Sequence, residues 1–72
     1  MKLIDIEQKR QLQREEAAQW LRTLADDLAR HNDLEFERDG LPYKVVVPDQ
    51  ITMEMELEIG DEGTSLEIEL SW

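Results

Sequence analysis

Residues 51–59 read ITMEMELEI and residues 66–72 read LEIELSW, and these two stretches decide the fold. In both, an apolar residue alternates with Glu, Thr or Ser at every position. Such alternation is typical of a β-strand that buries one face and exposes the other to water. The segment Gly60-Asp61-Glu62-Gly63 between them is rich in turn residues. We therefore predict an antiparallel hairpin with these facing pairs: Ile59–Thr64, Leu57–Leu66, Met55–Ile68, Met53–Leu70 and Ile51–Trp72.

The same period of two occurs earlier in the chain, on both sides of Asp39-Gly40. Before the pair, Leu34 and Phe36 alternate with Glu35 and Glu37. After it, Tyr43, Val45 and Val47 alternate with Lys44 and Val46. An Asp-Gly pair is a strong signal for a two-residue hairpin turn. This pattern predicts a second hairpin in which Phe36 faces Tyr43, Leu34 faces Val45 and Glu35 faces Lys44.

The two hairpins are joined by Pro48-Asp49-Gln50, which we interpret as a third turn. In that case Val47 faces Ile51 and Lys44 faces Glu54. The four strands then form one antiparallel meander, and the apolar residues of these facing pairs all lie on a single face.

The pattern of residues 13–31 predicts a helix, because the apolar residues recur every three or four positions and so form one stripe along it. That stripe consists of Ala17, Trp20, Leu21, Leu24, Ala25 and Leu28. Asn32 suits the left-handed conformation that ends a helix. This helix is the only element available to cover the apolar face of the sheet.

Ile4 and Ile6 alternate with Asp5 and Glu7, which suggests a short strand before the helix. The resulting fold class is α+β, with one helix packed on a mainly antiparallel sheet in two layers, in the order β-α-β-β-β-β. Residues 1–72 form a single domain. The first strand could lie antiparallel beside the last strand, which we favour, or parallel beside the second.

The composition excludes several classes of function. The 72 residues include 18 acidic and 8 basic ones, for a net charge of −10, and no Cys. No apolar run approaches the roughly 20 residues that span a membrane, and Asp5 and Glu7 interrupt any signal-peptide core. The negative charge disfavours direct binding to nucleic acid or to anionic lipid. We therefore expect a cytoplasmic protein that contacts neither nucleic acid nor membrane.

Residues capable of catalysis or metal binding are few. His31 is the only histidine and has no second His or Cys to complete a metal site. No nucleophile elbow and no glycine-rich phosphate loop is present. We expect no enzymatic activity, no catalytic residue, no cofactor and no metal. Trp20 and Trp72 are interpreted as core residues.

The outer face of the predicted sheet is strongly acidic and is the candidate partner-binding surface. It is formed by Glu54, Glu56, Glu58, Glu67 and Glu69. It could be a solvated face that prevents aggregation or a docking surface for a basic protein. Cation binding is the least favoured alternative, because carboxylates on a flat sheet do not converge on one ion. A small basic patch at Lys9, Arg10 and Arg14 is interpreted as solvated.

The whole pattern resembles a known family. The segment Glu15-Glu16-Ala17-Ala18 begins a helix that continues through Trp20-Leu21-Arg22-Thr23-Leu24-Ala25. A strand ends in Val47-Pro48-Asp49, and a Glu-alternating hairpin closes on residues 66–72. From about Leu3 to Trp72 this order is similar to the amphi-Trp domain, a small family of bacterial and archaeal proteins. Where that family often has Ser before the helix and Gly after it, this chain has Gln13 and residues 31–33.

The resemblance implies an uncharacterised domain, with no activity or site residues to transfer. We expect a protein-interaction or assembly module that is a monomer or weak homodimer and binds a protein partner. The alternative is an acidic decoy that mimics nucleic acid and binds a basic nucleic-acid-binding protein through its Glu-rich face.

Overall fold

The computed structural model describes all 72 residues and contains one helix and four strands. These elements are α1 (Arg14–Arg30), β1 (Asp33–Arg38), β2 (Leu41–Val46), β3 (Thr52–Gly60) and β4 (Gly63–Ser71). The predicted α+β class is confirmed, and α1 begins and ends within one residue of the predicted range. No helix in the structure is long and apolar enough to cross a membrane.

Both ends of α1 follow from the residues found there. Gln13 precedes the helix in an extended conformation and makes no capping bond with its side chain. Its carbonyl oxygen accepts the first helical bond, from the Ala17 N–H at 3.0 Å. At the other end the His31 N–H donates to the Asp27 carbonyl at 3.0 Å, and Asn32 has a φ of 54°. Asn32 therefore turns the chain out of the helix in the left-handed conformation that its sequence position predicted.

Strands β1 and β2 form the predicted hairpin. Leu34 lies opposite Val45, Glu35 opposite Lys44, and Phe36 opposite Tyr43. The turn residues Asp39 and Gly40 have φ values of 52° and 77°. Two consecutive positive φ angles are the mark of a type I′ turn, whose twist matches that of the strands it joins.

Strands β3 and β4 form the longer hairpin, and its register is also confirmed. Each strand has nine residues, and the pairing runs from Thr52 opposite Ser71 to Gly60 opposite Gly63. The predicted pairs from Met53–Leu70 to Ile59–Thr64 are all present. Only Ile51–Trp72 falls outside, because the paired strands stop one residue short of it.

The predicted four-stranded meander is wrong at Pro48. The structure has two separate two-stranded sheets, β1-β2 and β3-β4, so Val47 does not pair with Ile51 nor Lys44 with Glu54. The Val47 N–H donates to the Asn32 carbonyl at 2.8 Å, which adds one backbone hydrogen bond beyond the paired residues of β1 and β2. Pro48 has no N–H to donate and restricts Val47 to an extended conformation. The hydrogen bonds between the two strands therefore end at Val47, and the chain continues without turning back.

The predicted first strand is also absent, so the order is α-β-β-β-β. Residues 1–12 make no backbone hydrogen bonds to other backbone groups. Ile4 and Ile6 instead line a shallow depression with Phe36, Tyr43 and Val45. The favoured partner, β4, belongs to the second sheet, which makes no close contact with α1, β1 or β2. The N-terminal segment therefore lies over the side chains of the first sheet rather than beside a strand edge.

The core of the single chain is small. Helix α1 packs against β1, and the only buried residues are Leu34 and Val47. The helix itself has no fully buried residue. The predicted two-layer packing therefore exists only over the first sheet, and the hairpin β3-β4 projects from it.

Candidate interaction surface

The hairpin of β3 and β4 presents two chemically opposite faces. Because facing residues point to the same side of a sheet, the observed register sorts its side chains without ambiguity. The acidic hairpin face consists of Glu54, Glu56, Glu58, Glu67 and Glu69. The apolar hairpin face consists of Met53, Met55, Leu57, Ile59, Leu66, Ile68 and Leu70, and Trp72 follows it at the end of β4.

On the acidic hairpin face the structure brings together the five predicted carboxylates. Glu54 lies opposite Glu69 and Glu56 opposite Glu67, and all five residues are exposed. Directly opposite side chains have Cβ atoms about 5 Å apart, so like charges here repel. Glu58 lies opposite Ser65.

No basic side chain neutralises this face. The structure has four ion pairs, and none includes a residue of the acidic hairpin face. Lys44, which was predicted to reach Glu54, instead places its Nζ 3.7 Å from Asp33 Oδ2. This follows from the separation of the two sheets, because Lys44 stays within the first one.

The apolar hairpin face is exposed, which corrects the prediction that the helix covers it. Exposure runs from 47% for Ile68 to 76% for Ile59, and Leu70 alone is half-buried. The reason is that α1 contacts only β1. Within one chain, nothing lies over the apolar hairpin face.

Both tryptophans are also more exposed than predicted. Trp20 is 46% exposed and Trp72 is 53% exposed, so neither is a core residue of the single chain. The Arg10 guanidinium lies 4.6 Å from the centre of the Trp20 ring, a cation–π contact. The residues of the predicted basic patch thus have different partners. Arg10 packs on the helix, whereas the Arg14 guanidinium lies 3.4 Å from Glu15 Oε1.

His31 lies in a polar depression near the end of the helix. It lines this depression with Asp27, Asp33, Glu35 and Lys44. No group of three or more His, Cys, Asp or Glu side chains in the structure is arranged to hold a metal ion.

The sequence interpretation predicted the apolar hairpin face but missed its exposure, which a simple width argument could have revealed. An α-helix with its side chains is about 10–12 Å across, whereas neighbouring strands lie about 4.8 Å apart. One helix therefore covers about two strands, and this chain has four strands for its one helix. The helix is therefore too narrow to bury the apolar face of the other two strands.

The chain was compared with protein families, with curated proteins and with solved structures. The family model described as the Amphi-Trp domain matches residues 1–72, the whole chain. No match was found among curated proteins or among solved structures. By this match the chain belongs to the Amphi-Trp domain family.

Proposed function

We propose that this chain is a cytoplasmic, non-enzymatic protein-interaction or assembly module that binds its partner through the hairpin β3-β4. The observation that carries the proposal is the exposed apolar hairpin face. Soluble monomers rarely expose contiguous apolar patches larger than a few hundred Å², and larger ones mark sites of protein association.

The chemistry of the face suits a protein partner. Leu, Ile and Met side chains stand in two facing rows, and the two Met side chains can adjust to an irregular surface. A lone two-stranded hairpin is marginally stable in water. A partner would therefore stabilise the hairpin while burying its apolar side chains.

The proposal also accounts for the two-layer architecture that the sequence led us to expect. In the proposed complex, the partner supplies the second layer over β3 and β4, where the helix was expected. The acidic hairpin face remains in water and keeps the assembly soluble.

A second candidate function is the acidic decoy, and the uncompensated Glu pairs favour it. Glu54–Glu69 and Glu56–Glu67 place four carboxylates close together with no basic neighbour. A basic nucleic-acid-binding protein would relieve their repulsion. In this case the partner binds the opposite face of the same hairpin.

Matched double variants separate the two functions. Leu57→Thr with Leu66→Thr changes one facing pair on the apolar hairpin face, and Glu56→Thr with Glu67→Thr changes the adjacent pair on the acidic one. Thr is a good strand residue, so both variants keep the hairpin. The wild-type protein and both variants are immobilised and exposed to native lysate at low and high salt.

Binding that survives high salt and is lost with the Leu pair supports the interaction module. Binding that is lost at high salt, is displaced by duplex DNA and disappears with the Glu pair supports the decoy. Binding that neither variant reduces would refute both proposals, because the partner would then use another surface.

A further inference from the structure

We infer that the occupant of the apolar hairpin face is a second copy of this chain. Two chains pack their apolar hairpin faces against each other in a symmetric dimer. This inference rests on the proposed function and deepens it by naming the partner.

The first argument is the total exposed surface. The single chain exposes 7145 Å². A folded monomer of its mass, 8.5 kDa, exposes about 4,650 Å². The radius of gyration is 14.2 Å, against about 11 Å for a compact domain of this length. The chain therefore exposes about 2,500 Å² more than a compact monomer of its mass, and a dimer would bury part of that surplus.

The second argument is the area of the apolar hairpin face itself. With Trp72 it has eight apolar side chains, and each that is half exposed or more offers on the order of 100 Å². Six of the eight are more than half exposed and together offer about 600 Å² per chain, which is at the lower end of what one partner contributes to a specific interface. One copy of the same face is enough to cover it.

The third argument is shape. A two-fold symmetric interface uses the same patch on both chains, so that patch must be complementary to itself. Two twisted β-ribbons satisfy this condition when they stack face to face, about 10 Å apart, with interdigitating side chains. The apolar hairpin face contains no charged residue to interrupt such a contact.

The fourth argument is charge. The hairpin, residues 52–71, has seven acidic residues and no Lys or Arg, so two copies repel wherever their carboxylates meet. In the stacked arrangement the two acidic hairpin faces point away from each other, about 20 Å apart across two sheets and their side chains. The Debye length is about 10 Å at 0.1 M salt, so this repulsion is largely screened.

Sedimentation velocity of the full chain tests the inference. At about 20 µM we expect a dimer of about 17 kDa, twice the chain mass of 8.5 kDa. The Leu57→Thr, Leu66→Thr variant should raise the dissociation constant by at least about 100-fold, because both chains lose central apolar contacts. The Glu56→Thr, Glu67→Thr control should leave the dimer intact.

Disulfide cross-linking tests the same contact without weakening it. The chain has no Cys, so a disulfide in a single-Cys variant must join two chains. Leu66 and Ile68 belong to the apolar hairpin face, whereas Glu67 between them points to the opposite side. The variant nearer the two-fold axis, Leu66→Cys or Ile68→Cys, should cross-link on mild oxidation, and Glu67→Cys should not.

Two results would overturn the inference. The first is a wild-type chain that sediments as a monomer at about 20 µM. The second is a dimer that the Leu pair does not weaken and that cross-links equally through Glu67→Cys. Either result would leave the proposed function open, and the capture experiment would decide it. A different protein that binds the wild type but not the Leu57→Thr, Leu66→Thr variant would still support the interaction module.

Discussion

Replacing Glu56 with Lys should stabilise the protein at low salt, because Glu56 lies at the centre of the acidic hairpin face. It faces Glu67 directly, has Glu54 and Glu58 two residues away along β3, and has Glu69 on the diagonal. Strand neighbours two residues apart lie about 6.8 Å from each other. A Lys here exchanges several repulsions for attractions.

The expected magnitude follows from the facing pair. Opposite charges directly across a sheet contribute roughly 0.2–1 kcal/mol, and like charges cost a similar amount. Reversing the sign at Glu56 should therefore add about 1 kcal/mol to the free energy of unfolding after discounting for solvent exposure. For a chain of this length, that raises the melting temperature by about 4–8 °C.

The matched control is Glu62→Lys, which makes the same change in net charge. Glu62 lies in the turn between β3 and β4, where no acidic residue faces it. Both variants and the wild type are melted by circular dichroism at about 20 mM and about 1 M sodium chloride, where the Debye length falls to about 3 Å. At low salt Glu56→Lys should exceed Glu62→Lys, and at high salt the difference should vanish. Equal melting temperatures for the two variants at low salt would refute the facing-pair argument.

Three other changes should give measurable results. Asn32→Ala should lower the free energy of unfolding by about 1 kcal/mol, because residue 32 has a φ of 54° and Ala disfavours this left-handed conformation. Asn32→Gly should not lower it, and thermal melting of both variants checks this. Arg10→Ala should lower the free energy of unfolding by about 0.5–1 kcal/mol, because its contact with Trp20 is lost, and Lys9→Ala should lower it by less. Urea unfolding followed by tryptophan fluorescence measures both. Deleting Trp72 should lower the melting temperature more at about 100 µM than at about 1 µM protein, because the dimer that we infer would bury this half-exposed side chain. An equal loss at both concentrations would place Trp72 outside the dimer contact.

The local structure could be predicted from the sequence because each signal is contained in a few neighbouring residues. Alternation around Asp39-Gly40 determined the first register, and the Gly-bounded turn at residues 60–63 determined the second. A slip of one residue in either hairpin would have moved every apolar side chain to the wrong face. The acidic hairpin face followed directly from the second register.

The packing between these pieces could not be predicted in the same way. Alternation shows which side chains share a face, but it does not show what covers that face. Val47 illustrates this limit, since its place in the alternation was compatible with a turn toward Ile51. In the structure its N–H pairs back to Asn32 instead, and Pro48 ends the ladder.

The separation of the two sheets also bears on how fast the chain folds. Every strand pairs with its neighbour in the chain, and α1 packs on the strand that follows it. Proteins dominated by such local contacts fold within microseconds to milliseconds, since little loop entropy is lost before contacts form. Isolated hairpins close in about 1–10 µs. A slower phase whose rate rises with protein concentration would therefore report the encounter of two chains, and its rate constant would measure that encounter directly.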